Sequence, residues 1–209
     1  MKLKKVGIIM FIVIGILTVL NLGCLCLLIK RGEMNTRVMC IIGAFAAISV
    51  VLKMFSIPVP TGGSIALLSV VPAMLLAILY GPYAGIWVGV LSGILAMFLI
   101  PGWALVHPLQ LFVEHISALG ALGYAGLLGN DDKKKIILAC IGASCVNVTF
   151  HIFSGALFFG MFAPEGMSVW MYTITYNLGC MGVECALSVL LISLLPIQQL
   201  KRFTRTVRA

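Results

Sequence analysis

The stretch HPLQLFVEHISALGALGYAGLL, residues 107–128, decides how this chain is interpreted. It is apolar over about the 20 residues that a helix needs to cross the hydrocarbon core of a bilayer. Glu114 and His115 nevertheless lie side by side within it. A carboxylate at that depth costs several kcal/mol, so ionisable residues inside spans are rare and usually functional. The stretch therefore predicts a transmembrane helix that carries a functional acidic residue.

The rest of the chain has the same apolar character. Of its 209 residues, 62% are hydrophobic and only 10% are charged. The apolar runs are continuous, whereas an outer-membrane barrel would alternate polar and apolar residues. We predict an all-α integral membrane protein, a six-helix bundle with an extra N-terminal hydrophobic helix. The predicted spans cover residues 7–29, 38–57, 65–80, 83–100, 109–129, 136–161 and 170–195.

The net charge of +8 is located in short segments beside the spans. Basic residues in such loops set membrane topology, and this explains them better than binding of nucleic acid does. If the C-terminal tail is cytoplasmic, residues 58–64, 101–108 and 162–169 face outside, and these loops contain no Lys or Arg. We therefore expect a multi-pass protein of the bacterial plasma membrane with a cytoplasmic C-terminus.

Three segments organise the chain. Residues 1–36 form an extra hydrophobic segment with a basic linker, residues 37–196 a six-helix domain, and residues 197–209 a basic cytoplasmic tail. The first segment begins MKLKK, like a signal sequence, but its apolar part is long for a signal peptide. As a seventh span it would place the N-terminus outside, against the effect of its lysines. Its fate and its role stay open at this stage.

Polar residues recur on the last three spans. Asn147, His151 and Gly155 are four residues apart and share one helix face, and Asn177 and Glu184 share another. Three successive helices would thus present polar stripes to a common pocket. Hydrogen bonding between helices explains Asn147 equally well. For the remaining ionisable pair, Lys53 and Glu184, two alternatives remain: they pair with each other or face loops.

The motifs of an intramembrane enzyme are missing. The sequence has no H-E-x-x-H motif, no G-x-S-x-G context around Ser154 and no phosphate-binding loop for ATP. Seven cysteines form no C-x-x-C pair, and we expect no metal and no cofactor. A carboxylate, a histidine, an amide and several aromatic residues instead suit a flat, cationic heteroaromatic ligand in a pocket that opens outward.

Three stretches carry a family resemblance over residues 37–195. SIPVPTGGSIALLSVVPAMLLAILYGPYAGIWVGVLSGIL, residues 56–95, resembles the first loop and following helices of substrate-binding (S) components of energy-coupling factor (ECF) vitamin transporters. Residues 107–128 and FHIFSGALFFGMFAPEGMSVWMYTITYNLGCMGVE, residues 150–184, are similar to the thiamine-specific branch of that group. The resemblance implies a six-helix protein that captures thiamine outside the cell and is not an enzyme. It also implies partners, namely a membrane scaffold subunit and two ABC-type ATPases.

The resemblance also implies roles for individual residues. Glu114 would bind the aminopyrimidine of thiamine and His151 would approach the thiazolium ring. Phe159 would stack on the ligand where other members carry Trp. The remaining implied binding residues are Tyr172, Asn177, His115, Gly63 and Ser64, with Gly62 in the same mobile first loop.

Gly43 and Ala47 match the small-residue motif on which the scaffold subunit docks. Two features depart from the family pattern. His115 stands where Tyr is expected, and the first hydrophobic segment has no counterpart. The alternatives are an S component for a pyrimidine or thiazole precursor, or for another vitamin, and, in a different class, an intramembrane enzyme.

Overall fold

The protein is described by a computed structural model covering residues 2–59, 63–101 and 105–208, without the side chains of residues 2–8, 203 and 205–208. Eight α-helices account for most of those residues. They are α1 (Lys2–Lys30), α2 (Thr36–Met54), α3 (Val71–Tyr80), α4 (Pro82–Leu99), α5 (Lys133–Phe158), α6 (Val169–Asn177), α7 (Val183–Leu194) and α8 (Ile197–Arg208). A small antiparallel hairpin, β1 (Ser56–Pro58) and β2 (Ser64–Ala66), separates α2 from α3.

Two spans contain irregular helix. Within residues 107–128, the chain is π-helical over Leu111–Ala118 and 3₁₀-helical over Ala121–Gly126. We call these two parts together the mixed helix. A second π-helical segment, Leu178–Gly182, joins α6 and α7 into one continuous span. Single π turns inside helices are uncommon and frequently mark functional sites. The two irregular segments therefore indicate a functional site in the region between them. The short 3₁₀ turn Gly160–Phe162 follows α5.

Five helices in the described ranges are long and apolar enough to cross a membrane. They are Ile9–Lys30, Thr36–Met54, Pro82–Leu99, Lys133–Phe158 and Val169–Leu194. The shorter helix α3 is almost wholly buried, with Met74, Leu76 and Ala77 completely inaccessible. It lies at the centre of the bundle, where α4 and the mixed helix pack against it. The prediction of an all-α membrane protein is confirmed.

The helix boundaries differ from the predicted spans around the hairpin. The predicted span 65–80 begins as strand, and its helix starts only at Val71, next to Pro72. The predicted span 38–57 ends as helix at Met54, because the chain there turns into β1. Ile57 and Ile65 face each other in the hairpin. Because these apolar residues continue the neighbouring apolar runs, the sequence alone does not distinguish the strands from helix ends.

The predicted C-terminal tail is also ordered, as α8. Its first turns are fastened to the loop before α5. Gln198 Nε2 donates to the carbonyl oxygens of Asn130 at 2.8 Å and Asp131 at 3.2 Å, and Lys201 pairs with the Asp131 carboxylate. α8 thereby closes the end of the bundle at which α5 begins.

Close helix packing at the centre depends on glycines of α4 and the mixed helix. A Cβ on Gly89 would lie 2.1 Å from the carbonyl oxygen of Leu119, and one on Gly126 would lie 2.3 Å from that of Ala77. The spacing of Gly85, Gly89 and Gly93 on α4 therefore serves packing within the chain. Gly43 has nothing within 4 Å of such a Cβ. Its role in docking stays a prediction.

The α4 contact yields a stability prediction. Gly89→Ala should destabilise the protein by about 1–3 kcal/mol, because the added methyl meets backbone that cannot rotate away. Thermal unfolding in detergent measures this as a lowered Tm. Gly142→Ala is the matched control, since its Cβ would meet nothing within 4 Å. Equal Tm values for the two variants would contradict the packing argument.

Candidate ligand-binding site

A cavity of about 480 Å³ lies between the mixed helix, α5, α6 and the hairpin. This volume is within the range of small-molecule sites. All eight residues predicted to bind the ligand line it: Gly63, Ser64, Glu114, His115, His151, Phe159, Tyr172 and Asn177. Residues that lie far apart in the sequence are therefore brought together here. Gly62 lies outside the described residues.

Glu114 projects from the π-helical part of the mixed helix and is half-buried. Its Oε2 accepts two hydrogen bonds, from Gln110 Nε2 at 2.9 Å and from Ser154 Oγ at 2.5 Å. No hydrogen bond reaches Oε1 from the residues that the structure describes. One carboxylate oxygen is thus held by the protein, and the other is available to a donor in the cavity.

The two histidines differ in their surroundings. His151 Nδ1 lies 3.2 Å from the carbonyl oxygen of Asn147. Because a carbonyl only accepts, Nδ1 donates there, and in the neutral ring Nε2 is then an acceptor. His115 is only 1% exposed and packs on α4, where its backbone lies 3.1 Å from a Cβ built on Gly93. His151 is therefore the better placed of the two for polar contact with a ligand.

The two amide residues of the polar stripes, Asn177 and Asn147, differ in their surroundings. Asn177 lines the cavity and its Nδ2 donates to the carbonyl of Thr173 at 2.8 Å, so its oxygen can face a ligand. Asn147 is fully buried behind the cavity. Its Nδ2 donates to the carbonyl of Ala118 at 2.9 Å, and its Oδ1 lies 3.8 Å from Cys185 Sγ. For Asn147, the alternative of hydrogen bonding between helices is the one realised.

Aromatic rings border the outer part of the cavity. Tyr172 and Tyr176, one turn apart on α6, have ring centroids 5.9 Å apart at an interplanar angle of 44°. Phe159 lines the cavity at the end of α5 and lies against Phe162. Faces of this kind attract a cationic ring. The site thus combines one anionic group with several aromatic surfaces.

The hairpin covers the cavity on one side. A Cβ on Gly63 would lie 2.7 Å from Cys180 Sγ and 2.8 Å from Tyr176 Oη, so a larger residue here would displace these two side chains. The segment after β2 is anchored by Glu184, which is 1% exposed. Its Oε1 accepts from both the backbone N and the Oγ of Ser69, each at 2.7 Å. Glu184 therefore holds the base of the covering segment.

Lys53 completes a buried charge group with the two glutamates. It is 5% exposed at the end of α2 and interacts electrostatically with Glu184 and, less strongly, with Glu114. Both Lys53 and Glu184 are buried, and their pairing stays a prediction. The described residues include no cluster of His, Cys, Asp and Glu that could hold a metal ion.

Sequence reasoning did not single out several residues of the site. The two donors to Glu114, Gln110 and Ser154, are neutral and look ordinary in an apolar run. Gln110 stands four residues before Glu114, on the same face, and that spacing is a signal that could have found it. The other additions to the lining are Pro101, Val106, Thr173, Cys180 and Met181.

A helical bundle around a polar cavity, with one carboxylate among the lining residues that the structure describes, is the architecture of a membrane protein that binds a small polar molecule. The sequence defines the class further. The chain belongs to the family described as Thiamine transporter protein (Thia_YuaJ), whose profile matches residues 39–204. The resemblance stated from the sequence is thereby confirmed. Helix α1 lies before the matched residues.

Named relatives agree with this assignment. The thiamine transporter ThiT of Bacillus subtilis (strain 168) is 33% identical over 151 residues, covering 65% of this chain and 78% of the relative. ThiT of Lacticaseibacillus paracasei is 29% identical over 171 residues, covering 74% of this chain and 83% of the relative. Both are named transporters, in agreement with the expectation that this chain is not an enzyme.

A solved structure shares the fold. ThiT from Listeria monocytogenes superimposes with a TM-score of 0.65 at 23% sequence identity. The superposition covers 81% of this chain and 96% of that one. The two proteins therefore have the same helical architecture, and the present chain is longer than the shared part.

The Ser69 contact with Glu184 yields a second stability prediction. Ser69→Ala removes one of two donors to a buried carboxylate and should cost about 1–3 kcal/mol. A lowered Tm in detergent is the expected result. Ser193→Ala is the control, because Ser193 is half-buried and donates only within its own helix, to Leu190. If both variants unfold at the wild-type temperature, Glu184 does not depend on Ser69.

Proposed function

We propose that this protein is the thiamine-binding S component of an ECF-type importer. The observation that carries the proposal is the arrangement at Glu114. One oxygen is held by Gln110 and Ser154, while the other is available in a cavity bordered by aromatic rings. Membership of the thiamine transporter family supports the same ligand.

The chemistry of thiamine matches the site in two parts. Its aminopyrimidine carries an amino group that donates, and Glu114 Oε1 is the acceptor we assign to it. Its thiazolium ring is a flat cation, for which Phe159 and the tyrosines provide aromatic faces. His151 approaches the thiazolium part, and Tyr172 and Asn177 complete the pocket. His115 and the hairpin residues Gly63 and Ser64 enclose it.

The cavity opens, in our proposal, to the outside of the cell. It is bordered by Gly63 and Ser64 from one loop, by Pro101 and Val106 from the next, and by Phe159 before the third. These are the three loops without Lys or Arg. The basic cluster of residues 133–135 at the start of α5 lies at the opposite end, with α8, which supports a cytoplasmic C-terminus.

Transport itself needs partners. The chain has no ATP-binding motif, so a scaffold subunit and two ABC ATPases would supply the energy, with Gly43 and Ala47 on α2 as the docking face. Reconstituted vesicles containing the protein alone should bind thiamine without accumulating it, and addition of the energising subunits and ATP should start uptake. Uptake by the isolated chain against a gradient would refute the dependence on partners.

Calorimetric titration of the purified protein tests the ligand. Thiamine should bind tightly, and riboflavin should not bind. Thiamine monophosphate should bind about tenfold more weakly or worse, because no Lys or Arg is among the described lining residues to offset the phosphate's desolvation. Tight binding of a separate pyrimidine or thiazole, without thiamine, would establish the alternative S component. Absence of binding to thiamine would refute the proposal.

Glu114→Gln tests the assigned acceptor. It keeps the shape of the side chain but removes the charge, so a charge-assisted hydrogen bond worth about 1.5–3 kcal/mol is weakened. Thiamine affinity should fall about tenfold or more in the same titration. Wild-type affinity in a folded variant would show that the carboxylate is structural. Ser193→Ala, at a serine that does not line the cavity, should bind as wild type does.

A further inference from the structure

Helix α1 contacts the bundle along one narrow seam. Ile14, Thr18 and Leu25 are 2%, 5% and 2% exposed, and Asn21 lies between them on the same face. Their spacing of four, three and four residues is that of helices packed side by side. The other large apolar residues of α1 are mostly exposed, as expected where a helix faces lipid. A helix that served only to tether the chain would need no such seam.

The seam meets α4 and the mixed helix. A Cβ on Gly120 would lie 2.9 Å from Leu25 Cδ1 and 3.4 Å from a methyl of Val90, so the missing side chain admits Leu25. This is a fitted contact between apolar surfaces. It places Asn21 beside the residues that follow Glu114.

Both atoms of the Asn21 amide are used across this seam. Nδ2 donates to the carbonyl oxygen of Ser117 at 3.2 Å, and Oδ1 accepts from the hydroxyl of Tyr124 at 2.6 Å. A polar pair of this kind holds two membrane helices in one register. The two contacts lie on either side of the point where the mixed helix changes from π to 3₁₀.

The carbonyls at this change of helix type receive donors from two directions. Ser117 O accepts from Asn21 on α1, and Ala118 O accepts from Asn147 on α5. Glu114 stands in the turn immediately before, and the backbone N–H of Leu119 bonds back to its carbonyl. Whatever holds Ser117 and Ala118 therefore also sets the direction in which Glu114 points.

We propose that α1 is retained in the mature protein as a membrane span additional to the six of the predicted bundle. Asn21 and Tyr124 are then positioning residues, which hold the π-helical turn so that Glu114 faces the ligand. The residues matched by the family profile begin after this helix, so α1 supports the site although it is not part of the matched domain. The inference rests on the proposed function, because thiamine binding is its readout.

Asn21→Leu tests this positioning, since Leu has a similar volume but no hydrogen-bonding atoms. Thiamine affinity should fall about three- to tenfold, the range expected for interhelical hydrogen bonds. Tyr124→Phe should give a similar loss and is the milder variant if Asn21→Leu does not fold. Thr18→Val is the matched control on the same seam. Thr18 donates only to Ile14 within α1, so its removal should leave affinity unchanged.

The Glu114→Gln background separates positioning from general stability. If Asn21 acts through Glu114, Asn21→Leu should change affinity less than twofold once the carboxylate is gone. Equal losses in both backgrounds would show a merely structural role and overturn the inference. So would wild-type affinity of both Asn21→Leu and Tyr124→Phe.

Intact mass spectrometry of the purified protein tests whether α1 is retained. The full chain of 22.4 kDa is expected, and a product shortened by residues 1–30 would overturn the inference. Titration of the wild-type protein keeps the two claims apart. Failure of the wild type to bind thiamine refutes the proposed function. Equal binding by the wild type and the variants refutes only the positioning of Glu114 by Asn21 and Tyr124.

Discussion

The structure is organised around the requirement that the Glu114 carboxylate be satisfied among apolar helices. An ionised carboxylate only accepts hydrogen bonds, so neighbouring elements must supply donors. Gln110 provides one from the preceding turn of the same helix, and Ser154 provides another from α5. The bond from Ser154 ties the mixed helix to α5 at the level of the cavity, and the bond from Gln110 holds the carboxylate within its own helix. The same hydrogen bonds therefore fix both the position of the ligand site and the packing of the helices around it.

The second buried carboxylate shows how differently the same requirement can be met. Glu184 receives two hydrogen bonds from Ser69 on one oxygen and interacts with Lys53. It does not line the cavity, and its contacts fasten the segment after the hairpin. Glu114 differs in that it lines the cavity, where its Oε1 accepts no hydrogen bond from the described residues. Two carboxylates in apolar surroundings thus divide into one that holds the cover and one that is available to a ligand.

Much of this arrangement could be predicted from the sequence, because charge in an apolar run is a strong signal. Glu114, His151 and Asn177 stand out on that basis, and helical periodicity groups their neighbours. Gln110 and Ser154 carry no comparable signal, since neutral polar side chains occur throughout membrane helices. The hairpin could not be predicted from the sequence pattern either, because its short strands continue the apolar runs on either side. The binding role of each lining residue stays a prediction.

Asn147 shows why spacing alone cannot separate binding from structure. It shares a helix face with His151 and Gly155, and both of those line the cavity. Asn147 lies one turn deeper, where the mixed helix crosses α5 and the Ala118 carbonyl needs a donor. Its amide is committed to that carbonyl, so it supports the wall behind His151. The depth at which two helices cross, which a single sequence does not specify, therefore determines where the polar stripe stops facing the cavity.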